Sequence, residues 1–317
     1  MLPKPARASR NPATTDRTRP HHAAAIAQLF KRTALVRMRF GMALAMQSPS
    51  KLETCRMHRR PLIAAAGALL FAAVLPAAAQ TALDEVMAKK VITIAIPTDF
   101  PPYGFVGTDL KPQGLDVDMA NYIGAKLGVK VELVPVTSAN RIPYLQTRKA
   151  DLVISTLGKN PEREKVIDFS SAYSPFFQAV FAPKTATIKG AADLANKTVG
   201  VTRGAMEDME LSKIAPSSTD IKRFEDNNAT VAAFVSGQVQ AIATGASVAG
   251  NMMARNPNLG AEYKFVLKDS PNFIGIAKGE DKLRAKVNEI IAAAKAAGDL
   301  DNMAKRWLGR PAGDLPL

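Results

Sequence analysis

Histidine and cysteine are nearly absent from this chain of 317 residues: the histidines are His21, His22 and His58, and the one cysteine is Cys55. Neither type occurs beyond residue 79. That excludes from the body of the chain a Cys or His nucleophile, His-based acid–base chemistry, a Cys/His zinc site and a disulfide. Only carboxylates, Lys, Tyr and hydroxyls remain for catalysis, and no cofactor is expected. No G-x-x-x-x-G-K-[ST] loop is present either, so the chain itself does not hydrolyse ATP. Acidic residues are scarce at the front: residues 1–79 carry 13 of the 42 Lys/Arg but only 2 of the 28 Asp/Glu. The formal net charge of +14 therefore belongs mostly to that piece, and the remaining 29 basic and 26 acidic residues nearly balance. The body has no Lys/Arg cluster of the kind that tracks a phosphate backbone, so no nucleic-acid partner is expected.

What the front does contain is an export pattern. "MHRRPLIAAAGALLFAAVLPAAAQ" begins at Met57. His58, Arg59 and Arg60 precede 19 uncharged residues, and Ala77-Ala78-Ala79 before Gln80 fits small-residue cleavage. A transmembrane anchor is the competing reading, since the run is just long enough to span. Pro76 and the A-x-A ending favour a cleaved signal peptide over 57–79 and an exported mature protein. No Cys follows the run to carry a lipid. Residues 1–56 are rich in Arg, Pro and Ala with little apolar periodicity, and are expected to be a non-native or disordered extension, with translation starting at Met57.

From Val91 short apolar runs alternate with amphipathic stretches. "VITIAI" (91–96) reads as a buried strand, and "LDVDMANYIGAKLG" (115–128) as a helix closed by Gly128. "VELVPV" (131–136), "DLVIS" (151–155), "KTVGVT" (197–202), "DIKRF" (220–224) and "AIAT" (241–244) read as strands separated by helices. Such alternation predicts mostly parallel sheets flanked by helices. Two helices, at about 280–297 and 299–308, close the chain. "LQTRKADLVIS" (145–155) and "FVSGQVQAIAT" (234–244) align without a gap. This weak repeat puts Ser155 and Thr244 at equivalent strand ends of two similar lobes. Ligands of open α/β sheets bind outside the carboxyl ends of strands, so two facing ends would form a cleft.

Several stretches resemble the bacterial extracellular solute-binding proteins of family 3, periplasmic receptors of ABC importers for polar amino acids. They are "TDFPPYGF" (98–105), "GLDVDMANYIGAKLGVKVELVPV" (114–136), "NRIPYLQTRKADLVISTLGKNPEREKVIDFSSAYSPFF" (140–177) and the closing "GIAKGEDKLRAKVNEIIAAAKAAGDLDNMAKRWLG". The resemblance covers about residues 84–310. It implies a two-lobed periplasmic-binding-protein fold of type II, with two α/β lobes joined by two crossover strands. Lobe 1 would be 84–181 plus 272–317 and lobe 2 would be 184–269, crossing near Phe181–Lys184 and Ser270–Phe273. It also implies a monomer that closes on a small amino acid or related carboxylate and delivers it to an inner-membrane permease with ATPase subunits.

By that resemblance Arg163 grips a ligand carboxylate, a role that suits a guanidinium fork. From the residues alone, Arg163 could equally pair with Glu162 or Glu164 on the surface. Ser155 and Thr156 match ligand-bonding positions, and Phe100 matches an aromatic wall; Tyr103 is expected in the core. Asp99 would meet a cation or cap its turn. In lobe 2, Ala205 and Met206 stand where the family often has hydroxyl residues, leaving backbone N–H groups at a helix start as anion donors; Glu207 could line the cleft. The clearest departure is Gly245, where many amino-acid receptors carry an aspartate for the ligand ammonium. Either Asp99 or Glu207 replaces it, with Thr244 a neutral partner, or the ligand has no α-amino group. The alternative function is a dehydratase-like enzyme acting on prephenate-like acids, with Asp99, Glu162 or Glu207 as general acid.

Overall fold

The computed structural model describes residues 81–316; the expected signal peptide and the 1–56 extension lie outside them. Helix α1 (Ala82–Lys89) opens on a reciprocal cap in which the Thr81 hydroxyl accepts from the Asp84 N–H and the Asp84 carboxylate accepts from the Thr81 N–H. The chain continues through β1 (Val91–Ile96), three short strands β2 (Asp99–Phe100), β3 (Gly104–Val106) and β4 (Pro112–Gln113), α2 (Leu115–Leu127), β5 (Lys130–Pro135), α3 (Arg141–Gln146), β6 (Leu152–Leu157), α4 (Pro161–Glu164) and β7 (Ile167–Ser174). Next come β8 (Phe177–Pro183), β9 (Thr198–Thr202), α5 (Met206–Ile214), β10 (Asp220–Phe224), α6 (Asn227–Val235), β11 (Ala241–Gly245), α7 (Ala246–Arg255) and β12 (Ala261–Asp269). Finally β13 (Asn272–Ala277), α8 (Asp281–Ala296) and α9 (Asp299–Leu308) return to the first lobe.

Two five-stranded sheets result, ordered β5-β1-β6-β13-β7 and β10-β9-β11-β8-β12. Each is parallel in its first three strands and antiparallel at the fourth and fifth. The two aligned segments seen in the sequence end in β6 and β11, which hold the same central place in their sheets. β1 and β6 are apolar almost without interruption because helices cover both faces of the sheet. α2 buries Leu115, Met119, Ile123 and Leu127 along one face and ends on Gly128 at φ 67, the left-handed region that glycine enters without a Cβ penalty. Each such Leu or Ile, fully buried, contributes about 1.5–3 kcal/mol.

One boundary differs from expectation. β8 pairs with β11 and β12, so it belongs to the second sheet. The chain therefore leaves the first sheet at Pro175–Phe176, earlier than the crossover expected at Phe181–Lys184. "FQAVFAP" is apolar throughout and carries no mark of which sheet it joins; long-range pairing decides that. The return falls at Ser270–Pro271, between β12 and β13. The two crossings run side by side: Ser270 N–H donates to the Phe176 carbonyl at 3.1 Å, and the Asn272 side chain donates to Ser174 Oγ at 3.0 Å.

Candidate ligand-binding site

The carboxyl ends of β1, β6, β9 and β11 face one another across the cleft between the sheets. The sequence after each supplies the polar groups: Asp99 and Phe100 follow β1, Gly158 to Arg163 follow β6, Arg203 to Glu207 follow β9, and Thr244 and Gly245 end β11. Parallel strands make this inevitable, since their carboxyl ends leave backbone and loop groups at one edge of each sheet.

On the first lobe the centre is Arg141, a residue outside the expected set. It is 4% exposed, at the start of α3. Its Nη1 donates to the Ser155 carbonyl at 2.7 Å and the Thr156 carbonyl at 3.2 Å, and its Nε donates to Ser138 at 3.1 Å. Thr156 has φ 43, an unusual conformation for a residue with a Cβ. Asp116 at the head of α2 helps hold it: the carboxylate accepts from Thr156 N–H at 2.8 Å and from the Tyr173 hydroxyl at 2.6 Å. The Ser155–Thr156 turn is thus fixed from both sides, at a point where backbone strain commonly marks a binding loop.

Asp116 is completely buried, and burial pushes its carboxyl up to about 6, against the pull of Tyr173, Thr156 and Arg141. A carboxyl raised in the folded state stabilises while protonated and loses that contribution as pH rises through the folded value. Relative to Asp116→Asn, the native protein should therefore lose stability between about pH 4 and pH 6, on the order of 2–3 kcal/mol, and stay level above. Thermal unfolding of both proteins across that range checks this; a constant difference would contradict it.

Arg163 joins the lobes. Asn160 caps α4 by accepting the Arg163 N–H at 2.8 Å, which turns the side chain inward. The guanidinium then donates to Gly158 of its own lobe at 2.7 Å and to Gly204 of the other at 3.0 Å. It is 6% exposed, so the surface pairing with Glu162 or Glu164 does not form; Lys213 and Lys159 take those carboxylates. Burial, and then the like charge of Arg141, lower the Arg163 guanidinium to about 9. Burial also lowers Arg141, while Glu207, Asp99 and Asp116 pull it the other way. Every hydrogen bond of the two guanidinia goes to a backbone carbonyl, and among the described residues neither makes an ion pair. A cavity of about 230 Å³ opens beside both, walled also by Ile142, Leu157, Gly204 and Met209.

The turn after β9 packs directly on lobe 1. A Cβ on Gly204 would sit 3.0 Å from the Ala139 backbone, and one on Gly158 would sit 2.6 Å from the Met206 side chain. The anion-donor role expected of this turn meets competition. Gly204 N–H already donates to Asp208 at 3.0 Å and Ala205 N–H to Thr202 at 3.1 Å, so internal acceptors hold both. Met206 contributes packing, with Asn160 at its sulfur. Glu207, in the first turn of α5, is 3% exposed, and its Oε1 has no hydrogen-bond partner. Burial raises its carboxyl, against the nearby charges of Arg141 and Arg163.

Asp99 does a different job. Its Oδ2 accepts from the Asn227 N–H of lobe 2 at 2.6 Å, and its carbonyl accepts from the Asn227 side chain at 3.0 Å. Asn227 is the first residue of α6, so Asp99 satisfies one of the free N–H groups at a helix start. Thr244 donates to the Asn227 side chain at 3.4 Å. Phe100, Tyr103 and Phe176 form an aromatic cluster with ring centroids 5.3–6.2 Å apart, and the Tyr103 hydroxyl donates to Pro175. Gly245 lies against it: a Cβ there would meet Phe176 Cε2 at 2.5 Å and Phe100 Cζ at 3.5 Å. Of the carboxylates named for acid catalysis, Glu162 borders the same cavity but is half-exposed and paired with Lys213 at 3.6 Å, Asp99 is engaged by Asn227, and Glu207 alone is buried with an oxygen unpaired.

Sequence reasoning missed Arg141, Phe176 and Asn227. Arg141 lay inside a recognised stretch, but an Arg at a helix start is exposed by default. Phe176 gave a weak signal in the aromatic pair "FF", and Asn227 gave none.

Two α/β lobes, paired crossovers and a buried basic pair at the cleft, one member of which bridges to the second lobe, define a two-lobed solute-binding protein. The model of the bacterial extracellular solute-binding proteins, family 3, matches residues 92–310, and the chain belongs to that family. It is 28% identical over 201 residues to the ABC transporter glutamine-binding protein GlnH of Bacillus subtilis, covering 62% of this chain and 72% of that one. Among solved structures, an ancestral arginine-binding protein bound to arginine is 33% identical with a TM-score of 0.66, over 69% of this chain and 99% of that one. The ancestral amino acid-binding protein AncCDT-1, a precursor of cyclohexadienyl dehydratase, is 31% identical with a TM-score of 0.64, over 71% and 98%.

Proposed function

We propose that this protein is the periplasmic receptor of an ABC importer, binding one small amino acid or closely related carboxylate between its lobes and presenting it to a membrane permease. The observation that carries the reading is the pair Arg141 and Arg163: two buried guanidinia on the cleft edge of lobe 1, bonded only to backbone carbonyls, of which Arg163 reaches across to Gly204. A buried cation with no carboxylate bonded to it directly is costly, and a ligand carboxylate supplies that direct countercharge. Arg163 bridges to Gly204, so the group that meets the ligand also ties the lobes, which couples binding to hinge closure. Asp99, Asn227 and Thr244 act as a second interlobe contact.

The relatives carry names for glutamine and arginine binding, so the class is supported more strongly than any single ligand. The test is a thermal-shift panel on the mature protein from Gln80 onward. It covers the proteinogenic amino acids, cystine, and the deaminated counterpart of each, together with prephenate and arogenate. One or a few amino acids or related carboxylates should raise Tm by several degrees, as any ligand that binds only the folded state must. Turnover of prephenate or arogenate would favour the enzyme instead, and no shift with any carboxylate would remove the receptor reading.

A further inference from the structure

Among the described residues, the buried side-chain atoms without a hydrogen-bond partner are both polar atoms of the Gln178 amide, Oδ1 of Asn272 and Oε1 of Glu207. Gln178 and Asn272 sit at the starts of β8 and β13, the strands that follow the two crossings. Glu207 is the one carboxylate in the set, and it stands at the cleft. A helix start favours an acidic side chain, which accounts for a glutamate in the first turn of α5 but not for its burial with one oxygen empty.

We propose that Glu207 is the specificity-determining residue that holds the ligand's amino group as an ammonium, so that the solute is a zwitterionic amino acid and not a plain carboxylic acid. This rests on the receptor reading above. Three observations lead here by elimination. Position 245 has no side chain, and the Phe176 ring fills the space that one would need. Asp99 Oδ2 is already held by Asn227 at 2.6 Å. Asp116 is spent on Thr156 and Tyr173. Glu207 keeps a free oxygen and has Arg141 and Arg163 as its near cations, the same two groups assigned to the ligand carboxylate. A ligand carrying its carboxylate and ammonium on one carbon would place opposite charges on these opposite partners at once.

The competing role is structural: Glu207 as the permanent counterion of the two arginines. The two roles give different results in one experiment. Glu207→Gln is nearly isosteric, and its affinity is measured by calorimetry for the amino acid that binds in the panel and for that amino acid's deaminated counterpart. Loss of a charge-assisted hydrogen bond to the ammonium should weaken the amino acid by about 10- to 100-fold. The deaminated counterpart should bind the native protein weakly and should gain or stay level with Glu207→Gln. Unliganded Tm should not fall, because neutralising a buried carboxylate with an empty oxygen removes a desolvation cost. A counterion role predicts the reverse: lower unliganded Tm, and equal loss for both ligands. Native-like affinity of Glu207→Gln for the amino acid, equal losses, or native binding confined to the deaminated acid each overturns the proposal and leaves the receptor reading standing. Failure of the native protein to bind any carboxylate overturns both.

Discussion

Arg163→Ala should reduce ligand affinity by at least about 100-fold, the largest effect expected of any single substitution in the cleft. A guanidinium meeting a carboxylate makes two parallel charge-assisted bonds of about 1.5–3 kcal/mol each, and both are lost together. The same change strips the acceptors Gly158 and Gly204, one on each lobe, of their donor. The closed arrangement is therefore weakened even before ligand arrives, and the observed affinity falls further because less protein is competent to bind. Arg163→Lys separates the two effects. A lysine keeps the charge but offers a point in place of a fork, so it should retain part of the affinity, within about 10-fold to 30-fold of native. Calorimetry with the panel ligand decides, with circular dichroism to confirm folding. Affinity of Arg163→Ala within a few-fold of native would mean that the carboxylate sits elsewhere, with Arg141 the next residue to test. The pH profile offers a further check. Because burial and Arg141 both hold Arg163 below the usual range, raising the pH should weaken carboxylate binding earlier than for an exposed arginine.

Most of the architecture was legible because it is written in local patterns. Apolar runs of strand length and four-residue helical spacing define β1, α2, β5, β6 and β9 to within a residue or two, and the match of 145–155 with 234–244 foretold the equivalence of β6 and β11. What escaped is set by long-range pairing. β2 and β4 have two residues each, too short for any period, and β7 mixes serines into its apolar positions because their hydroxyls find partners such as the Ile274 N–H. β8 is largely apolar, and its sheet is decided by β11 and β12. In the cleft, motif resemblance picked out positions, while their jobs depend on competition for partners. Asp99 was equally able to meet a ligand or a helix start, and only folding brings Asn227 to it. Of the two residues expected to offer N–H groups at the start of α5, Ala205 gives its N–H to the Thr202 carbonyl. Glu207 stands out for the opposite reason, a partner missing where burial demands one.

Gly245 gives the second large effect. Gly245→Ala should lower Tm by roughly 3–10 °C, since overpacking costs about 1–3 kcal/mol and a protein of this size loses about 2–4 °C per kcal/mol. The cause is specific: the new Cβ would overlap the Phe176 ring, itself fixed at 5.9 Å from Phe100 and 5.3 Å from Tyr103. The penalty should therefore vanish in a Phe176→Ala background. That variant alone leaves a cavity and costs several kcal/mol, about 3–5 for a buried Phe, but the methyl at 245 then enters empty space. The double variant should be no less stable than Phe176→Ala, a coupling of about 1–3 kcal/mol between the positions, where independent sites would add. Simple additivity would show that the loss comes from backbone conformation at 245, and β11 gives little reason for that, since Gly245 has φ −63, accessible to any residue. The coupling bears directly on ligand choice. A carboxylate at 245 and a phenyl ring at 176 exclude each other by volume, so Gly245→Asp alone should destabilise the protein and bind no better. With the ring in place, the countercharge for an ammonium has to come from another element, and α5 presents it in Glu207.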